Sequence, residues 1–170
     1  MEPFIPINTI IAFILFCVVI YVAFNHHKYG DFKPYIFKSS DKGNSWVSIS
    51  SNLPIRGSVY SIEEDHVDSN LIFCGTEFGV FFSPDSGGSW KELASGLPTI
   101  AVRDIAIQRR ENDLVLGTFG RGFYVLDDYS VLRSVKNSHK DPAAQIFDVR
   151  DALMWEKANP LGLPGKAFQG

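Results

Sequence analysis

The chain has 170 residues, enough for one domain with a proper core, and 45% of them are apolar and 14% aromatic. That aromatic content favours packed β structure over helix or disorder. The net charge is −3 and no long run of like charge occurs, which argues against nucleic acid as a partner because phosphate binding needs a concentrated basic face.

The first segment, residues 1–20, is apolar, and from Pro3 to Phe24 there is no charged residue. Three readings compete for it. A membrane helix wants about 20 apolar residues, and Phe4–Phe24 supplies 21 uncharged ones, so 4–24 could anchor the chain. A signal peptide fits less well, since Glu2 is acidic and no small-x-small site precedes Asn25. The third reading is a displaced or truncated start in which Val18–Phe24 is a strand. Helix and strand claim the same residues.

Residues 21–133 read as short strands separated by turn residues. An incomplete first group has strands near Ile20–Phe24, Tyr35–Lys38 and Trp46–Ile49. A complete second group has Val59–Glu63, Leu71–Gly75, Val80–Ser83 and Trp90–Leu93, with Cys74 as a small buried hydrophobe. A third group has Val102–Ile107, Asp113–Gly117 and Phe123–Leu126, with a weak fourth strand near Val131. Residues 134–170 form a polar, then Pro- and Gly-rich, irregular extension.

Self-comparison accounts for this grouping. Ser39-Ser40-Asp41-Lys42-Gly43-Asn44-Ser45-Trp46 returns as Ser83-Pro84-Asp85-Ser86-Gly87-Gly88-Ser89-Trp90, with five positions matching at an offset of 44 residues. Asn52-Leu53-Pro54 returns as Gly96-Leu97-Pro98, and Gly75-Thr76 as Gly117-Thr118. Four strands in about 40–45 residues is the size of one propeller blade. The third copy is eroded: Asp128 keeps the register, the Gly is lost, and Arg133 stands where Trp would be.

The repeated motif has a structural chemistry. Asp41 and Asp85 can accept from backbone N–H groups ahead of them and close a turn. Gly43 and Gly87 permit a positive φ, Ser45 and Ser89 supply a second local bond, and Trp46 and Trp90 place a large ring between layers. No cofactor or metal is expected. Glu63–Asp68, the densest acidic cluster, falls at a hairpin turn whose counterpart at Gln108–Asn112 lacks the ligands, so it reads as a solvated turn.

With those residues in view, Ser-x-Asp-x-Gly-x-Ser-Trp resembles the Asp box. The chain is similar to the Asp-box (BNR-repeat) β-propeller superfamily of sortilin-type ectodomains, bacterial sialidases and photosystem assembly-factor propellers. Gly75–Phe81 and Gly117–Asp128 look most like bacterial sortilin-like and BNR-repeat "glycosyl hydrolase" proteins. The resemblance implies an all-β fold of antiparallel four-stranded propeller-type blades, about two and two-thirds of them on the strand count, and the apolar run before them is expected to be helical. It implies a non-catalytic binding or scaffold module for a protein, peptide or glycan. A glycoside hydrolase with its catalytic residues outside this chain and an inactive gene fragment are the alternatives. Missing blades or self-association would be needed for closure. Membrane-associated or exported localisation is favoured over cytoplasmic.

In a four-stranded blade the second-to-third loops share a face with the connections between blades, opposite the Asp-box hairpins. The long loop Phe24–Pro34 therefore gathers with its counterparts, bringing His26, His27, Lys28, Arg56, Glu77, Phe78, Phe119 and Arg121 to one side. Long loops are where function concentrates. Arg121, between Gly120 and Gly122, is the expected anchor; pairing with Asp127 or Asp128 is its structural alternative.

Overall fold

The computed structural model describes residues 19–94, 96–138 and residue 147. These form three antiparallel sheets in chain order. The first holds β1 (Ile20–His26), β2 (Asp31–Ser39) and β3 (Val47–Ser48). The second holds β4 (Val59–Glu64), β5 (Ile72–Thr76), β6 (Gly79–Ser83) and β7 (Lys91–Glu92). The third holds β8 (Val102–Gln108), β9 (Asp113–Thr118) and β10 (Phe123–Leu126). Strand β4 packs beside both β1 and β8, so the sheets stack face to face through their leading strands.

Sequence pattern and packing agree in the middle sheet. Alternate residues of a strand point to opposite faces, and here both faces are covered. Leu71, Phe73, Val80 and Phe82 pack against Val102, Ile105, Leu114 and Leu116 of the third sheet. Ile72, Cys74, Phe81 and Trp90 pack against Ile36 and Ile49 of the first. A sheet buried on both sides needs continuous apolar runs rather than alternation, which is what β5 and β6 supply. Burial pushes the Cys74 thiol pKa upward. Gly75 is fixed by close approach: a Cβ there would lie 2.5 Å from Ser61 Oγ and 2.7 Å from the Val102 carbonyl oxygen.

Several expectations are corrected. Ile20–Phe24 lies in β1, paired with β2 through Val22↔Phe37 and Ala23↔Ile36, so the last part of the 4–24 run is strand. The expected apolar helix over 1–20 otherwise lies outside the described residues, and among those described no helix is long and apolar enough to cross a membrane. The long loop Phe24–Pro34 is largely strand: β1 runs to His26, β2 starts at Asp31, and a 3-10 turn His27–Tyr29 joins them. Gly30, at φ +75°, ends that turn and donates its N–H to the His27 carbonyl.

The weak fourth strand near Val131 is instead part of a 3-10 helix, Tyr129–Ser138. Its residues do not reach for β10 because a buried carboxylate holds them elsewhere. Asp65, 3% exposed, accepts from Arg133 Nε at 2.7 Å and Nη2 at 2.8 Å, and from the Tyr129 hydroxyl at 2.6 Å. Arg133 also donates to Asn112 Oδ1 at 2.8 Å. The cluster Glu63–Asp68 is therefore not a purely solvated turn: Asp65 ties the middle sheet to the segment leaving the third. Burial pushes its carboxyl pKa up, but the Arg133 and Tyr129 donors overcome this and hold it well below the usual carboxylate range. Burial, and then the same contact with Asp65, push the Tyr129 hydroxyl pKa upward. Of the extension 134–170, the described part is the end of this helix and residue 147.

Candidate ligand face

The two motif hairpins, between β2 and β3 and between β6 and β7, are closed by the same bonds. Ser39 Oγ donates to Asp41 Oδ1 at 2.8 Å and accepts the Gly43 N–H at 2.8 Å. Ser83 Oγ does the same with Asp85 and the Gly87 N–H, at 2.7 and 2.8 Å. Asp41 then accepts the Ser45 N–H at 2.8 Å and hydroxyl at 2.6 Å, and Asp85 accepts both from Ser89 at 2.8 Å. Gly43 and Gly87 sit at φ 90° and 94°, the left-handed region the closure requires. The donors of Ser45 hold the Asp41 carboxyl pKa down at about 2. Burial works against a low value at Asp85, yet the Ser83 and Ser89 donors lower it as well. Each carboxylate is consumed within its own turn.

These hairpins lie at one end of their sheets, and the β1–β2, β5–β6 and β9–β10 links lie at the other. Backbone bonds join the links to the connections between sheets: Gly57 N–H to the Phe32 carbonyl at 2.9 Å, Glu77 N–H to Ser58 at 3.0 Å, and Phe119 N–H to Ala101 at 2.9 Å. Thr76 Oγ1 bonds the Gly79 carbonyl and Thr118 Oγ1 the Gly122 carbonyl, so equivalent threonines shape the β5–β6 and β9–β10 links. Phe78 lies over Gly57, where a Cβ would come within 3.2 Å of its ring.

Across this end runs a chain of rings and cations. The Arg103 guanidinium sits 3.9 Å from the centre of the Tyr60 ring and 5.3 Å from that of Phe119. The His27 ring is 6.2 Å from the Tyr60 ring at 21°, and it meets Phe32 edge-on at 5.9 Å. Arg56 lies 5.6 Å from the Phe32 ring, beside a cavity of about 340 Å³ lined by Gly30, Asp31, Phe32, Lys33, Ile55 and Arg56. Phe119 is 70% exposed and Phe78 44%. Such a surface can stack planar groups and offer the free edges of guanidinium groups to acceptors.

Of the residues expected here, His27, Phe119 and Arg56 join this chain, while Phe78 and Glu77 flank it on the Gly57–Ser58 connection. His26 turns aside to stack on Tyr29 at 4.5 Å. Lys28 and Arg121 are exposed. Arg121 stands between Gly120 and Gly122, at φ 84° and 71°.

Tyr60 and Arg103 were not singled out from the sequence. Each is the extra residue of a β-bulge: Val59 and Ser61 face Thr76 and Gly75, and Val102 and Asp104 face Thr118 and Gly117. A bulge re-aims the side chain it carries, and these two are aimed at one another. The signal is present in the spacing, since apolar residues recur three apart at Val59 and Ile62 and again at Val102 and Ile105, where unbroken alternation demands two. Neither a protein-family model nor a curated protein matches the chain.

Proposed function

We propose that the three sheets are consecutive blades of an Asp-box β-propeller, and that the chain is a non-catalytic binding module whose ligand, a protein, peptide or glycan, is taken on the loop face. Support for the blade reading comes from the identical closure of the two motif hairpins and from sheets that stack through their leading strands. The observation that carries the binding reading is the Arg103–Tyr60 stack, which holds an exposed guanidinium in place beside the exposed Phe119 ring. An Arg ordered by an aromatic face loses little entropy on engaging an acceptor, and Arg with aromatics dominates binding hot spots.

The test is a screen of the full chain against a glycan array and a displayed peptide library. Arg103→Ala and Phe119→Ala should each weaken any confirmed hit by about tenfold or more, with the melting temperature nearly unchanged. Hits indifferent to both substitutions, or abolished by changes in the Asp41 or Asp85 hairpins while the fold persists, overturn the assignment of the face.

A further inference from the structure

We infer that the chain assembles head to tail with a second copy of itself, the outer face of the third sheet seating on the outer face of the first. The inference rests on packing inside the chain and is independent of the ligand-face reading. Ser39 lies opposite Ile20 as Ser83 lies opposite Ile72, and Phe37 opposite Val22 as Phe81 lies opposite Cys74. Val22, Phe37 and Trp46 therefore hold the places of Cys74, Phe81 and Trp90. In the middle sheet those places are buried against the first sheet, and Trp90 is only 4% exposed, with its Nε1 donating to the Ile49 carbonyl at 2.6 Å.

In the first sheet the same places are uncovered by any described residue. Trp46 is 43% exposed and its Nε1 bonds back to the Gly43 carbonyl of its own turn. Val22, Phe24, Phe37 and Trp46 line an open apolar hollow of about 270 Å³.

The third sheet carries the other half of such an interface. Val125 lies opposite Val115 as Phe82 lies opposite Phe73, and Phe123 lies opposite Gly117 as Val80 lies opposite Gly75. Phe73, Val80 and Phe82 are buried where the middle sheet meets the third, whereas Phe123 is 80% exposed and Val125 56%. The middle sheet uses both kinds of face at once, so the two are complementary. Among the described residues each kind of face is exposed once, on opposite outer sheets. A second copy is thus a partner whose apolar face already has the required relief, and the contact is heterologous, so it can continue into rings or chains.

Sedimentation velocity of the full chain over a concentration series tests this, with Trp46→Glu damaging one face and Phe123→Asp the other. The unaltered chain should form assemblies that grow with concentration. Each variant should associate at least about tenfold more weakly, and an equimolar mixture should recover a heterodimer and nothing larger, since one good face of each kind remains. Phe24→Lys and Val125→Asp replace any variant whose circular dichroism shows that it fails to fold. A chain monomeric at every concentration means that its own residues or other sheets cover these faces, and overturns the proposal. Association unchanged in both variants, or folded variants that do not combine, overturns it equally.

Discussion

Replacing Asp65 with Asn should destabilise the protein far more than its place in a surface turn suggests. The carboxylate accepts from Arg133 Nε on Oδ2 and Arg133 Nη2 on Oδ1, from the Tyr129 hydroxyl, and from the Asp68 N–H at 2.8 Å. Because Arg133 donates to both oxygens, an amide in either orientation turns its NH2 toward the guanidinium. The substitution therefore removes the negative charge and also sets donor against donor, beside an arginine side chain that is only 19% exposed. Breaking one partner of a buried pair costs about 3–5 kcal/mol, which in a domain of this size lowers the melting temperature by about 10–20 °C. Thermal melts at neutral pH, followed by circular dichroism, measure it. Asp65→Leu combined with Arg133→Met should recover much of the loss, since an apolar pair of similar volume needs no desolvated charge. An Asp65→Asn protein melting within about 2 °C of the unaltered chain would falsify the account of this contact.

Acid should act through the same carboxylate: its folded pKa is depressed, so the unfolded chain binds the proton more readily, and stability should hold above about pH 5 and fall below about pH 4. Melting temperature against pH reads this slope, which should be shallower in Asp65→Asn and keep the share of Asp41 and Asp85, whose carboxyls are also held low; stability rising on acidification contradicts it. Gly43→Ala and Gly87→Ala share a left-handed φ, costing about 1–2 kcal/mol, but a Cβ at Gly87 also comes 2.8 Å from Ile49 Cβ, whereas at Gly43 it meets only the Trp46 ring edge at 3.7 Å. Urea unfolding should therefore rank Gly87→Ala as the more damaging, by about 1–3 kcal/mol of overpacking, and equal losses would refute the contact. Trp90→Ala should cost about 3–5 kcal/mol, and Trp46→Ala much less when both are measured in the monomeric Phe123→Asp background; comparable costs there would mean that Trp46 is covered within its own chain.

Legibility in the sequence followed the range of the interactions. Gly43 and Gly87 announced left-handed turns because every bond closing those hairpins joins residues four apart or fewer, so the motif contains its own partners. Strand order followed from apolar runs and turn residues, and ten of the eleven expected strand segments, all but the one near Val131, have counterparts among β1–β10, with shifted ends. The Asp65–Arg133 pair was hidden because its members are 68 residues apart. From composition, Asp65 is one acid among several in a turn, and only the fold reveals which of them is buried. The His27–Arg103 chain was half legible: topology gathers the links at one end, but the bulges that turn Tyr60 and Arg103 onto that end are a departure from alternation by a single residue.

Trp46 and Trp90 separate what a motif decides from what its surroundings decide. Both follow Ser-x-Asp-x-Gly-x-Ser, and both hairpins close with the same donors and acceptors, so the local geometry that delivers each indole is the same. One ring is 4% exposed and the other 43%. The difference lies in what stands opposite: Trp90 meets Ile49 of the preceding sheet, and no described residue stands in that position for Trp46. Most of the stabilisation an aromatic side chain contributes comes from the area it withdraws from water, not from the turn that presents it. The motif therefore specifies a side chain ready to be buried, and the neighbouring sheet determines whether the burial occurs. For stacked sheets this makes stability a property of interfaces between neighbours, and it leaves the two end faces, each built to the pattern of a buried one, as the places where the chain can gain the most from contact.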